Sequence, residues 1–295
     1  MAILVDKTSR IIIQGITGPT GRIYAERMIA NGTPLVGGVA PGRGGQVVAG
    51  VPVFDSVADA VAKTGADASL SAVRNSLTLG ACFEALSAGI RTLVVYTENV
   101  PVHDAIRLTA YARAKGARLL GPNSAGVISP GKANLADLND RNVQPGSIGI
   151  VSKSGTLTYE VVDDLQARGF GVSSVVCLGG DPVLGTTYAD VLPLFDADPE
   201  TRLVVLIGEP GGRLEHHAIE TIRTMKTPVV AYIAASNAPP EKRMGHAGAI
   251  YEGGDTTAQA KIAAFREAGC EAVARVTEVA DAVERTLDLR RAKSA

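Results

Sequence analysis

RIIIQGITGPTGRIYAERMIA, residues 10–30, decides the architecture. RIIIQ is a short run of β-branched residues without a polar residue at every second position, so both faces of such a strand call for burial. It leads directly into GITGPTG, with glycines at 15, 18 and 21, and then into a helical pattern expected over residues 22–30. A doubly buried strand feeding a Gly-rich turn and a helix is the opening unit of a parallel sheet covered by helices.

The same unit recurs outward from there. PLVGGV (34–39) reads as a second strand, and short aliphatic runs alternate with amphipathic stretches as far as residue 121. Residues 129–147, SPGKANLADLNDRNVQPGS, break the rhythm: they are polar, hold two prolines and show no period, and read as a connection between domains. Alternation restarts at SIGIV (147–151) with a helix from Gly155 and continues to the C-terminus. The expected fold class is therefore α/β with two doubly wound parallel-sheet domains. A Rossmann-like domain is expected over 1–130, a connecting segment over 131–146 and a flavodoxin-like domain over 147–295.

Composition narrows the function classes. The chain has 295 residues, 46% apolar and 20% charged, with a net charge of −1, so nothing in its charge points to nucleic acid or an anionic membrane. It has no Trp and only seven Tyr and five Phe, too few aromatics for a base-stacking platform. Cys82, Cys177 and Cys270 lie far apart, with no metal spacing and no disulfide framework. No bound metal is expected. The first residues lack the apolar core of a secretion signal, and the aliphatic runs are far too short to span a membrane, so a cytoplasmic location is expected.

Glycines in the first turn would let a phosphate approach the backbone at a helix N-terminus, although the same spacing also serves packing alone. A dinucleotide fold ordinarily carries an acid on its second strand for the ribose 2′-hydroxyl. Here no acid occurs from Leu35 to Gly50, and Arg43 supplies a cation instead. That pattern disfavours NAD and suits a nucleotide with an extra ribose phosphate, NADP or coenzyme A; a solvated loop charge is the plain alternative.

In the second half, IVSKSGTLTYE (150–160) is again strand, small-residue turn and helix, with Ser152, Ser154 and Thr156 as possible N-cap hydroxyls. VVLIGEPGG (204–212) puts Glu209 at the C-terminal end of a strand, where open α/β sheets place ligands. Of the four histidines, His103, His216 and His217 fall on polar helix faces and read as solvated. His246, in RMGHAGA, has no amphipathic period around it. Small neighbours leave space about its ring, as a nucleophile accepting a bulky group requires.

Taken together, KRMGHAGAI, GPN, SGTLTYE, GGDP (179–182), the GE and GG of 208–212 and VGGV with its following glycines resemble, in the same order and over essentially the whole chain, the α subunits of succinate–CoA ligases (NDP-forming), with malate–CoA ligases among their relatives. The resemblance implies a carboxylate–CoA ligase subunit. ATP or GTP with Mg²⁺, held by a separate ATP-grasp β subunit, would phosphorylate His246. The phosphoryl group would pass to a small carboxylate, and coenzyme A would take the acyl group. It further implies that Glu209 holds the imidazole, that Ser154, Gly155 and Thr156 face the phosphoryl group, and that Tyr159 touches the acid. Coenzyme A is expected at Thr17, Gly18, Pro19, Thr20, Arg43, Tyr96, Thr97 and Glu98. No GxxxxGK[ST] phosphate loop is present, which fits a chain that relies on a partner for nucleotide.

The sequence departs from the family pattern in loops. VRNSL (73–77) stands where a proline-rich turn is usual, Ser124 and Ala125 replace a Cys-Pro pair, ADLNDR (136–141) replaces another loop, Pro210 interrupts GEPGG, and Arg43 replaces a lysine. Loops carry specificity while scaffolds persist. Arg74, Asn75, Ser124 and Asn139 would suit an acid with more oxygens than succinate, and Ser124 is an expected acid contact. A CoA-binding module without ligase activity and an NADP-dependent oxidoreductase are the competing readings; the second leaves the histidine loop unexplained.

Overall fold

A computed structural model describes residues 3–137, 143–237, 245–250 and 254–294, without the side chains of 289–294. Among the described residues the chain forms two seven-stranded sheets, both mostly parallel. The first unit is β1 (Ile11–Gln14), buried on both faces, and α1 (Pro19–Ala30). The helix starts three residues before the expected position because Pro19 occupies its first position, where its fixed φ favours the helix and its missing N–H costs nothing. Then follow β2 (Leu35–Val39), β3 (Val47–Val48), β4 (Val51–Phe54), α2 (Val57–Thr64), β5 (Ala68–Ser71), α3 (Asn75–Ser87), β6 (Thr92–Val95), α4 (Val102–Ala114) and β7 (Arg118–Leu120). Their order in the sheet is β3-β4-β2-β1-β5-β6-β7, with only β3 antiparallel to its neighbour. Strands β2 and β5 flank β1, so the order reverses there, and the turns after β1 and β5 open a crevice at the strand ends.

The second sheet contains β8 (Gly126–Ser129), β9 (Ala133–Ala136), β10 (Pro145–Ser152), β11 (Val172–Cys177), β12 (Leu203–Gly208), β13 (Val229–Ile233) and β14 (Glu271–Val273), in the order β14-β13-β12-β10-β11-β8-β9. Helices α5 (Gly155–Ala167), α6 (Tyr188–Ala197), α7 (Leu214–Ile222), α8 (Ala258–Glu267) and α9 (Val279–Ser294) alternate with its strands. This sheet reverses at β10, between β11 and β12. The stretch expected to be an unpatterned connection departs from that reading. Gly126–Ser129 and Ala133–Ala136 form a hairpin, and its first strand runs antiparallel to β11. Every residue of both strands is buried, Asn134 included, although the local sequence is polar and aperiodic. Asn139, which the sequence reading adds to the acid-facing set, lies outside the described residues.

Residues 121–125 stitch the two halves together. Gly121 N donates to Leu178 O, while Asn123 N and Ser124 N donate to Thr97 O and Val95 O. The C-terminal ends of the two sheets thus face a common space. No described helix is long and apolar enough to cross a membrane.

Candidate active site

That common space is a cavity of about 720 Å³. The first domain lines it with Thr20, residues 72–75 and residues 96–99, and the second with Gly155, Thr156, Tyr159 and His246. Asn123, Ser124 and Ala125 close the wall between them.

His246 reaches this cavity because its loop is held at two points and closed by a turn of its own. Gly248 N donates to Gly180 O at 3.0 Å, and Ala249 N donates to His246 O at 3.1 Å. Gly211 packs so tightly on Ile250 that an added Cβ would lie 2.4 Å from its carbonyl oxygen. The ring lies over Gly180, where a Cβ would come within 2.5 Å of His246 Cδ2. Gly180 is therefore a clearance residue for the imidazole.

Glu209 follows β12 and is 6% exposed. Its Oε2 is 2.7 Å from His246 Nδ1 and its Oε1 2.7 Å from the ammonium of Lys153, which is itself 4% exposed. Burial alone would raise the Glu209 carboxyl, but the His246 hydrogen bond and the Lys153 charge outweigh it and hold it below the usual glutamate value. An ionised carboxylate can only accept, so Nδ1 carries a proton, and in the neutral ring the lone pair is then on Nε2.

A second buried pair supports the turn that carries Glu209. Lys261, wholly buried on α8, donates to Glu209 O at 2.8 Å, to Gly211 O at 2.6 Å and to Glu215 Oε2 at 2.6 Å. Glu215 on α7 in turn accepts from Glu209 N at 3.3 Å. Burial lowers the Lys261 ammonium below its ordinary value, and Glu215 opposes that.

Sequence reasoning overlooks Lys153, Gly180, Glu215 and Lys261 as part of this arrangement. A signal existed for two of them. Ala258, Lys261, Ile262 and Phe265 are the buried face of α8, and Glu215, Ala218, Ile219 and Ile222 that of α7. Both sets recur at helical spacing with one charge on the apolar stripe, the pattern that a buried ion pair leaves in two packed helices.

The other expected residues divide. Gly155 and Thr156 open α5 on the cavity, whereas the Ser154 hydroxyl accepts from Leu157 N at 3.3 Å as an ordinary N-cap. Tyr159 is half-buried in the wall. Burial, reinforced by Asp137, pushes its phenol up, so it stays a protonated donor at neutral pH. Ser124 lines the wall, but its hydroxyl donates to Cys177 O at 2.6 Å and accepts from Gly126 N at 2.9 Å. Those two backbone bonds occupy the group that the sequence reading assigns to the acid. Arg74 and Asn75 do line the cavity. His103 is exposed as expected, while His216 is half-buried, and burial first, then Lys261, lowers its imidazole.

Thr20, Tyr96, Thr97 and Glu98 line the cavity; Thr17, Gly18 and Pro19 form the turn entering α1, and Arg43 is exposed on the turn after β2. These residues fit coenzyme A in one respect and the packing of the fold in another. Gly18 caps α1 without a side-chain hydrogen bond, leaving first-turn N–H groups for a phosphate. The glycine spacing also serves packing: a Cβ on Gly21 would lie 2.3 Å from Gly15 O, so helix and turn meet backbone to backbone.

Comparison with known proteins agrees with this layout. The CoA binding domain family matches residues 6–99, and the CoA-ligase family matches residues 151–270. The α 1 subunit of the ADP-forming succinate–CoA ligase of Archaeoglobus fulgidus is 48% identical over 98% of this chain and 99% of its own. The corresponding Aquifex aeolicus subunit is 45% identical over 97% and 95%. Among solved structures, ATP citrate lyase from Methanothrix soehngenii, in complex with citrate and coenzyme A, superposes with a TM-score of 0.89 at 23% identity, over 99% of this chain and 52% of that one. That similarity shows the shared fold, and the chain spans about half the length of the lyase. On these grounds the chain belongs to the family of succinate–CoA ligase α subunits, with its CoA-binding and CoA-ligase domains arranged about one cavity.

Proposed function

We propose that the chain is the α subunit of an NDP-forming carboxylate–CoA ligase in which His246 carries the phosphoryl group. The observation that carries this reading is the 2.7 Å contact between Glu209 and the Nδ1 of a histidine opening on a cavity bounded by the CoA-binding half. Nε2 attacks the terminal phosphorus of ATP or GTP; the N–P bond forms as the P–O bond to the departing diphosphate breaks. The phosphohistidine carries about two negative charges, by analogy with other phosphorylated side chains, which the N-terminus of α5 at Gly155 and Thr156 receives. A carboxylate oxygen of the acid then takes the phosphoryl group and regenerates His246. The sulfur of coenzyme A attacks the resulting acyl phosphate at carbon, phosphate leaves, and the thiol proton is lost to it or to solvent.

In this reading coenzyme A is held by the α1 turn, by Arg43 at its ribose phosphate and by Tyr96, Thr97 and Glu98. Tyr159 donates to the acid, and Arg74 and Asn75 face its polar end. Succinate is the acid that the relatives' names support; the oxygen-rich wall suits a hydroxylated dicarboxylate as well. Nucleotide with Mg²⁺ resides on a β subunit of the ATP-grasp class, in a cytoplasmic αβ complex. A CoA-binding domain that ends before the β8–β9 hairpin and a ligase domain that begins with it suit the sheet pairings better than a boundary at residue 130.

The test is co-expression with the β partner and incubation with γ-labelled ATP or GTP, followed by a chase with coenzyme A and a panel of acids. Acid-labile label on this chain, absent in His246→Ala and discharged by coenzyme A with one acid, is the expected result. A stable complex that takes no label would refute the ligase reading and leave a CoA-binding module.

A further inference from the structure

Lys153 stands apart from the residues that the reaction has so far required. It follows the apolar run of β10 and is 4% exposed, although a buried ion pair seldom adds net stability over an apolar one. The two oxygens of Glu209 are divided between Lys153 and His246. Among the described residues, the charged or titratable groups around Glu209 are His246 on its loop, Lys153 just after β10, Lys261 on α8, Glu215 on α7 and Tyr188 on α6. The Lys261 charge is matched by Glu215, and its remaining bonds go to main-chain oxygens. Among the described residues, Lys153 is thus the cation that faces the Glu209 carboxylate itself.

We propose that Lys153 is a positioning residue for phosphoryl transfer, its buried ammonium keeping Glu209 ionised and thereby keeping His246 as the Nδ1–H tautomer with Nε2 free to attack. This rests on His246 being the phosphoryl carrier. No proton leaves Nδ1 when the N–P bond forms, so Glu209 accepts from the ring before and after transfer. The incoming phosphoryl charge would be repelled by an uncompensated carboxylate in a low-dielectric site, and Lys153 offsets that repulsion. Without the ammonium, the coupled pair takes up a proton at higher pH. If the proton settles on Glu209, the ring loses its acceptor; if it settles on the imidazole, Nε2 loses its lone pair. Both routes move the acid limb of the phosphorylation rate in the same direction, upward.

The experiment is single-turnover phosphorylation of the αβ complex by γ-labelled ATP from about pH 5 to 9, the range spanning histidine titration. Wild type is compared with Lys153→Met, Lys153→Gln, which keeps a donor without a charge, and Lys153→Arg. Both uncharged variants are expected to label more slowly, with the acid limb raised by about 1–3 pH units, the shift that an opposite charge at contact produces. Lys153→Arg returns the limb to its wild-type position. Should the folded uncharged variants, or Gln alone if Met does not fold, keep the wild-type acid limb while losing rate uniformly or not at all, Lys153 is structural and the proposal is overturned. Absence of label on wild type would instead overturn the assignment of His246.

Discussion

Gly180→Ala isolates the placement of the imidazole from the stability of the fold. The added Cβ would stand 2.5 Å from His246 Cδ2 and 2.7 Å from Cγ, whereas ordinary contacts begin at 3.4 Å, so the ring must retreat by about 0.9 Å. Gly180 has no positive φ, so alanine brings no backbone strain. The group in the way is a side chain that is 27% exposed, and the loop can yield to it. The expected loss of stability is therefore small, below about 1 kcal/mol, as for substitutions without a large cavity or buried-charge defect. The same retreat stretches the 2.7 Å bond from Nδ1 to Glu209 beyond hydrogen-bond range and tilts Nε2 away from its line of attack. A misplacement of about 1 Å costs about 10²-fold in rate where geometry governs the step. The assay pairs urea unfolding of the variant with single-turnover phosphorylation of the αβ complex. A folded Gly180→Ala that labels at the wild-type rate would refute the clearance argument, and a severely destabilised one would refute the claim that the loop yields.

Three further outcomes follow from the same geometry. Lys261→Met strands Glu215 in the core and should cost about 3–5 kcal/mol in urea denaturation, as breaking one side of a buried pair does; adding Glu215→Leu should recover much of it. Glu209 lies below its ordinary value of 4.5 in the fold, so its stabilising contribution is complete above that value and lost as pH falls through the lower native one. The stability gap between wild type and Glu209→Gln should accordingly stay constant around neutral pH and narrow only in acid, as followed by denaturation across pH. Arg43→Ala should weaken coenzyme A by about tenfold or more, the scale of one charge-assisted hydrogen bond, with little change for dephospho-coenzyme A, as titration calorimetry would record.

Local pattern reveals much of this molecule because parallel strands buried on both faces are apolar without interruption. β12 and the Ile11–Ile13 run of β1 announce themselves in that way, and Gly15 and Gly21 after β1 sit where an added Cβ would meet backbone within 3.0 Å. His246 and Glu209 stand out for a related reason: each sits where neither a strand nor a helical stripe explains it. Ser124 is legible only as a polar residue in a loop. Whether its hydroxyl faces the cavity or the backbone depends on Cys177 and Gly126, and the structure turns it to the backbone.

By itself the sequence determined the alternation of strands and helices, the two-domain α/β class, the turn entering α1 and the histidine loop, because each depends on contacts within about one helical turn or one strand. Only the tertiary structure decided that the aperiodic stretch 129–147 opens inside a hairpin of Gly126–Ser129 with Ala133–Ala136, since the first of these strands pairs with β11, far along the chain. It likewise decided that Lys153 is buried rather than solvated, and which carboxylate the lysine on the apolar stripe of α8 meets. A charge is tolerated in the core only beside its opposite, and Glu209 and Glu215 are brought there by other elements, at separations that no local pattern encodes.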